Sequence, residues 1–214
     1  MRISLRELIG IVTIAGLLIG LTTSTWKLRR LKDEVGRLRE EVGDLGQTEA
    51  DEIAAVRLTS DQPLTYRFRV RVPETAGAAY RIAYSTWWPQ SQTRPEWFAA
   101  TPVPPGDSVV VMSIGRDVRD DRWKISTLVR NPQQTRRVAT VLPETHVNVF
   151  RGSHDVVRTG IGRGVLAKPV GRSIRILEDR WLVGEGSLML YGDSGPDEDQ
   201  IGVYAELQLD DGPL

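Results

Sequence analysis

The chain has no cysteine, which excludes disulfide staples, thiolate nucleophiles and cysteine-based zinc sites together. Histidine is nearly as scarce: His146 and His154 are the only two, too few for the clusters that hold catalytic metals. Net charge is absent as well, with 28 basic residues against 28 acidic ones. A chain without a global field exerts no pull on polyanions, so no nucleic-acid partner is expected. Neither a metal nor a cofactor is called for by this composition. The 214 residues leave room for one ordinary domain and some additional structure.

Long hydrophobic runs are confined to one place. After a short tail, residues 1–7, the segment 8–26 from Leu8 to Trp26 carries no charged side chain. At about 1.5 Å per residue, a helix of that length approaches the roughly 30 Å hydrocarbon core of a bilayer. Arg2 and Arg6 on one flank, and Trp26 with Lys27 on the other, supply headgroup and interface anchors. A single-pass transmembrane helix in the cell membrane is the expectation, with the lipid bilayer as its partner. A cleaved signal peptide is the alternative, but Thr22 and Ser24 make a poor small-x-small cleavage site. The basic residues after the segment, among them Lys27, Arg29, Arg30 and Lys32, outnumber those before it. The positive-inside rule therefore tilts the expected topology slightly toward a cytoplasmic C-terminal domain, although short-tailed anchors of this form commonly export theirs.

Beyond the membrane segment, Leu28, Leu31, Val35, Leu38, Val42 and Leu45 alternate at spacings of three and four, a heptad a/d pattern over residues 27–46. Valine at a and leucine at d favour a parallel two-stranded coil, and Glu34 at g can reach Arg39 at e of a partner. Gly16 and Gly20 add a small-xxx-small spacing that lets two membrane helices approach closely. A homodimer through helix and stalk is expected. Gly36 and Gly43 oppose it, each weakening a helix by about 1 kcal/mol.

The polar stretch 47–52 reads as a hinge, after which the periodicity changes to alternation and a β domain is expected over 53–214. Its clearest strand is Leu64–Val72, with Leu64, Tyr66, Phe68, Val70 and Val72 on one face and Thr65, Arg67, Arg69 and Arg71 on the other. Further strands are predicted at Tyr80–Trp87, Ser108–Ile114, Arg122–Arg130, Arg136–Leu142, His146–Phe150, Ser173–Leu177, Gly186–Tyr191 and Gly202–Leu209. Residues 115–121 and 192–199 read as hairpin loops between them. The cadence predicts a mainly-β fold, a β-sandwich or a partly open barrel, preceded by one long N-terminal helix.

Few constellations suggest chemistry. Ser153, His154 and Asp155 are the residue types of a hydrolytic triad, but sequence neighbours in a strand point to opposite faces. The glycines of Gly160-Ile-Gly-Arg-Gly164 lack the following helix and Lys-Ser/Thr of a phosphate loop, which leaves a turn. Asp193, Asp197, Glu198 and Asp199 match no calcium-loop spacing and read as a solvated hairpin tip. No residue is nominated as catalytic, and a hydrolase built on carboxylates and His154 ranks last. For binding, Arg67, Arg69 and Arg71 line one strand face and suit an anionic polymer or headgroup, unless acids on a neighbouring strand pair them. Trp87, Trp88, Trp97 and Phe98 cluster in a proline-containing segment, where exposed rings bind sugars or a partner protein and buried rings plug a sandwich.

The opening Met1-Arg-Ile-Ser-Leu-Arg-Glu-Leu8 before an apolar helix and a leucine-rich coil resembles that of planctomycete-type single-pass membrane proteins of uncharacterised activity. The stretches 63–73, 104–111 and 121–125 are similar to their β domains. The resemblance implies an architecture and brings no activity, cofactor or site residue with it. The expected function is a membrane-tethered, non-enzymatic binding or scaffolding module, with glycan or envelope-polymer binding at Trp87 to Phe98 as the alternative.

Overall fold

A computed structural model describes residues 5–46, 48–74, 77–89, 91–152, 155–182 and 200–212, with side chains of the N-terminal helix described at 16–38 and 42. The chain divides into two units, Met1–Val42 and Gly43–Leu214. The first is one continuous helix, α1 (Leu5–Val42). Thr22, Thr23 and Thr25 fit because their hydroxyls turn back on the preceding turn: Thr22 donates to the Leu18 carbonyl at 2.9 Å and Thr23 to that of Ile19 at 2.8 Å. The heptad side chains Leu28, Leu31, Val35, Leu38 and Val42 are all exposed, and the space beside Gly16 and Gly20 is open. Among the described residues no helix is long and apolar enough to cross a membrane. The first part of the expected span, 8–15, lies outside the described side chains.

The helix stops earlier than the heptad pattern implies. Gly43 takes φ +65°, a left-handed conformation that ends helices and that glycine adopts without strain. A Cβ there would sit 1.9 Å from Leu58 Cδ2, so the close approach also demands glycine. Leu45, expected at a d position of the stalk, is therefore outside the helix. Its side chain is 3% exposed and packs with Ala54, Val56 and Leu58 on the outer face of the first strand. Asp44 closes the turn by accepting a hydrogen bond from Gly46 N at 3.0 Å.

The second unit is a sandwich of two antiparallel sheets. Strands β1 (Glu52–Leu58), β2 (Thr65–Val72), β5 (Gly106–Arg116), β6 (Trp123–Arg130), β7 (Thr135–Val141) and β9 (Leu166–Pro169) form a six-stranded sheet in the order β7-β6-β5-β2-β1-β9. Strands β3 (Tyr80–Trp88), β4 (Ala99–Val103), β8 (Asp155–Gly160), β10 (Ile174–Leu182) and β11 (Gln200–Leu209) form a five-stranded one in the order β4-β3-β11-β10-β8. The inward rows are those expected of alternating strands: Tyr66, Phe68, Val70 and Val72 from β2, and Val110, Met112 and Ile114 from β5, are all buried. They meet Ile82, Tyr84, Ile174, Ile176 and Leu207 in one core.

One predicted strand is wrong. His146–Phe150 belongs to a helix, α2 (Glu144–Arg151), which follows Pro143 and buries His146, Val147, Val149 and Phe150. An acid in the first turn and an arginine in the last suit the helix dipole. The hairpin expected at 115–121 joins β5 to β6, closed by Asp117 N donating to Arg122 O at 2.8 Å. The strand expected at Gly186–Tyr191 and the loop at 192–199 lie outside the described residues.

The strap from Gly43 to Gly46 should matter to the sandwich as much as a core position does. Leu45→Ala is expected to cost about 2–3 kcal/mol, and Gly43→Ala at least about 1 kcal/mol through φ strain and displacement of Leu58. Leu38→Ala, at an exposed helix position, should leave the sandwich transition unmoved. Denaturant unfolding of the full chain in detergent, followed by tryptophan fluorescence, reads all three.

Candidate functional site

The three arginines singled out on β2 do not form a common surface. Arg71 is committed to structure: its guanidinium forks onto Asp107, with Nη2 3.0 Å from Oδ2, and Nη1 donates to the Gly46 carbonyl at 2.8 Å. It thereby ties the strap to the outer sheet face. Arg67 is exposed and Arg69 half-buried, and among the described residues neither has an ion-pair partner.

The aromatic segment is half-buried and its rings are engaged. Trp88 meets Tyr204 edge-on at 5.5 Å, while the guanidinium carbons of Arg175 and Arg180 lie 5.0 and 5.1 Å from its ring centroid. Arg175 also lies 5.8 Å from the Trp97 ring. Phe98 stacks on His146 at 6.1 Å and Trp87 meets it edge-on at 6.3 Å. His146 is buried, with Nδ1 2.8 Å from Thr86 Oγ1. Trp97 contributes one wall of a cavity of about 530 Å³ with Arg94, Arg172, Glu206 and Gln208, and its Nε1 has no hydrogen-bond partner among the described residues.

A larger cavity, about 620 Å³, opens where the inward face of the sandwich stops being apolar. On β1, Ile53 and Ala55 are buried in the core, and the next inward position is Arg57. On β10 the inward row passes from Leu177 to Asp179 and then Trp181. Asp179 is fully buried, and Arg158 stands directly opposite it on the edge strand β8. Arg57 Nη1 is 3.8 Å from Asp179 Oδ1 and Arg158 Nε is 3.4 Å from Oδ2. Neither carboxylate oxygen is in full hydrogen-bond geometry with a described residue, and the Tyr66 hydroxyl approaches the carboxylate from β2. The carboxylate thus sits between two guanidinium groups at ion-pair range without the short contacts, about 2.7–2.9 Å, of a formed charge-assisted bond.

Burial pushes the Asp179 carboxyl above its usual range, while Arg57, then Arg158 and then the Tyr66 hydroxyl pull it back. Tyr66, under the Arg57 guanidinium at 5.6 Å, has its phenol driven well up by burial and by the Asp179 charge beside it. Over this group lies the cavity, walled by Arg57, Arg158, Arg163, Tyr66, Trp181 and the β1–β2 turn through Leu64. Leu64 holds φ 51°, an uncommon conformation for a branched side chain and a local store of strain. Arg163 reaches the wall from the turn at 160–164. Arg57 N donates to the Gly162 carbonyl at 3.1 Å, and Gly160 at φ +91° packs so closely that a Cβ would lie 3.2 Å from the β10 backbone. The glycine-rich segment is a turn, and its part in the site is to carry Arg163.

The guanidinium groups present planar forks of donors, a geometry that matches a carboxylate or phosphate. Of the hydrolytic candidates, Ser153 and His154 lie outside the described residues, and Asp155 is exposed at the start of β8. Arg57, Tyr66, Arg158 and Asp179 escape a reading based on motifs. Their one sequence signal is a charged residue at core parity, Asp179 within Ile174–Leu182 and Arg57 after Ile53 and Ala55. No protein-family model matches the chain, and searches of curated proteins and of solved structures find no match either.

His146 gives the domain a pH dependence. Burial lowers its pKa from 6.5, so the folded state resists a proton that the unfolded chain accepts. Its contribution is intact above about pH 6.5 and is lost as pH falls from there toward the folded value. Unfolding midpoints measured across that window should decline more steeply for the parent chain than for His146→Gln.

Proposed function

We propose that the chain is a membrane-tethered, non-enzymatic binding module, displayed as a parallel homodimer on a helical stalk. The observation that carries the binding function is the arginine-walled cavity beside Asp179, a concave site of the size that takes small ligands, with guanidinium groups suited to holding an anion. Support for the tether comes from the uncharged segment 8–26 flanked by Arg2, Arg6, Trp26 and Lys27, through which α1 runs unbroken. Support for pairing comes from the a/d stripe, since Leu28, Leu31, Val35, Leu38 and Val42 are 44–59% exposed in the single chain. The basic flank after Trp26 favours the cytoplasmic side for the sandwich.

The absence of cysteine makes the test direct. Leu31→Cys at a d position should cross-link into dimers in native membranes roughly ten times faster than Asp33→Cys at the outward f position. Equal rates would remove the paired stalk. Release of the chain from membranes by alkaline carbonate would remove the tether.

A second reading, glycan or envelope-polymer binding, has one observation in its favour: Trp97, its indole N–H without a partner among the described residues, walls the 530 Å³ cavity beside Glu206 and Gln208. If it holds, Trp97→Ala should abolish retention on an immobilised cell-wall polysaccharide; unchanged retention would end it.

A further inference from the structure

We infer that the cavity between β1, β2 and β8 binds a small organic anion, whose carboxylate or phosphate head takes the place of Asp179 between Arg57 and Arg158. The inference rests on the binding-module reading above and names its ligand class. Both guanidinium groups approach one carboxylate, at 3.8 and 3.4 Å, and neither satisfies it with a hydrogen bond. Each keeps donors in a planar fork that matches a carboxylate or phosphate. Arg158 stands on an edge strand with its side chain 68% exposed, so those donors are open to a ligand entering from solvent. Arg163 adds a third cation on the wall, against Asp61 there and Asp179 beneath, and leaves the described lining positive. Leu58, Leu64 and Trp181 supply an apolar side, so the anion should carry a hydrocarbon or aromatic body. The left-handed Leu64, at φ 51°, puts the local backbone strain in the same wall.

Exchange of one anion for another has a consequence for protons. Among the described residues, the groups facing Asp179 are Arg57 from β1, Tyr66 from β2 and Arg158 from β8, and its partner across the β10–β11 ladder is the uncharged Val203. A ligand that engages both arginines leaves Asp179 buried without its cations, and such a carboxylate takes up a proton. Binding is then coupled to proton uptake at Asp179 and tightens as pH falls.

The test is calorimetric titration of the full chain in detergent with benzoate, phenyl phosphate and the neutral benzyl alcohol, at about pH 7.5 and again at about pH 5.5. Benzoate is expected to bind roughly tenfold or more tighter than benzyl alcohol, and tighter at the lower pH. Phenyl phosphate distinguishes the two head groups by whether it exceeds benzoate at pH 7.5. Arg158→Gln should weaken both anions roughly tenfold, while Asp179→Asn should tighten benzoate binding and flatten its pH dependence. Should Asp179→Asn fail to fold, the exposed Arg158→Gln and Arg163→Gln carry the test. If benzyl alcohol binds as tightly as either anion, the anion assignment is overturned while a binding cavity survives. If none of the three binds, both are overturned, and the cross-linking result on the stalk is untouched by either outcome.

Discussion

A charge on the inward face of a β-sandwich must be partnered or neutralised before the two sheets can close, and Asp179 is that charge here. It occupies a position on β10 where its neighbours in the row, Leu177 and Trp181, are core residues. Arg57 answers from the opposite sheet, and Arg158 answers from the adjacent edge strand. Arginine side chains are long and need solvent at their far ends, so apolar packing gives way to an open cavity at this place. The site follows from the way the fold accommodates one buried carboxylate.

A second constraint acts where the helix meets the domain. β1 is buried on both faces: the inner one by the main core, the outer one by Leu45 of the strap. Gly43 turns the chain, Leu45 plugs the face, and Arg71 holds the strap by its backbone at Gly46. An arginine row that reads as a ligand-binding stripe is thus divided between one residue of structural duty and two that face outward. Asp107 accepting the same guanidinium illustrates why cross-strand acids more often explain such rows than a ligand does.

The sandwich was legible wherever one strand face is buried and the other wet. β2 alternates through Phe68, Val70 and Val72, and the structure keeps that parity. β1 was missed because Ile53–Val56 is a continuous apolar run, its outer face covered by a residue thought to belong to the stalk. The five residues His146–Phe150 are too few to separate a period of 2 from one of 3.6. Pro143 followed by Glu144 was the helix signal available there. The aromatic segment drew attention by composition, and its rings turn out to engage Arg175, Arg180 and His146. The Asp179 cluster was not legible, because it joins β1, β2, β8 and β10 through pairings that no local pattern encodes.

The account depends on Asp179 being held by Arg57 across the sheets, which a double-mutant cycle on unfolding free energy measures directly. Arg57→Met alone should destabilise the sandwich by about 3 kcal/mol, because it leaves a buried carboxylate with one exposed cation. Adding Asp179→Asn should recover most of that loss, giving a coupling of about 1.5 kcal/mol or more. Additive losses, with the double mutant as unstable as the sum of the singles, would mean that the two groups do not interact and would contradict the account.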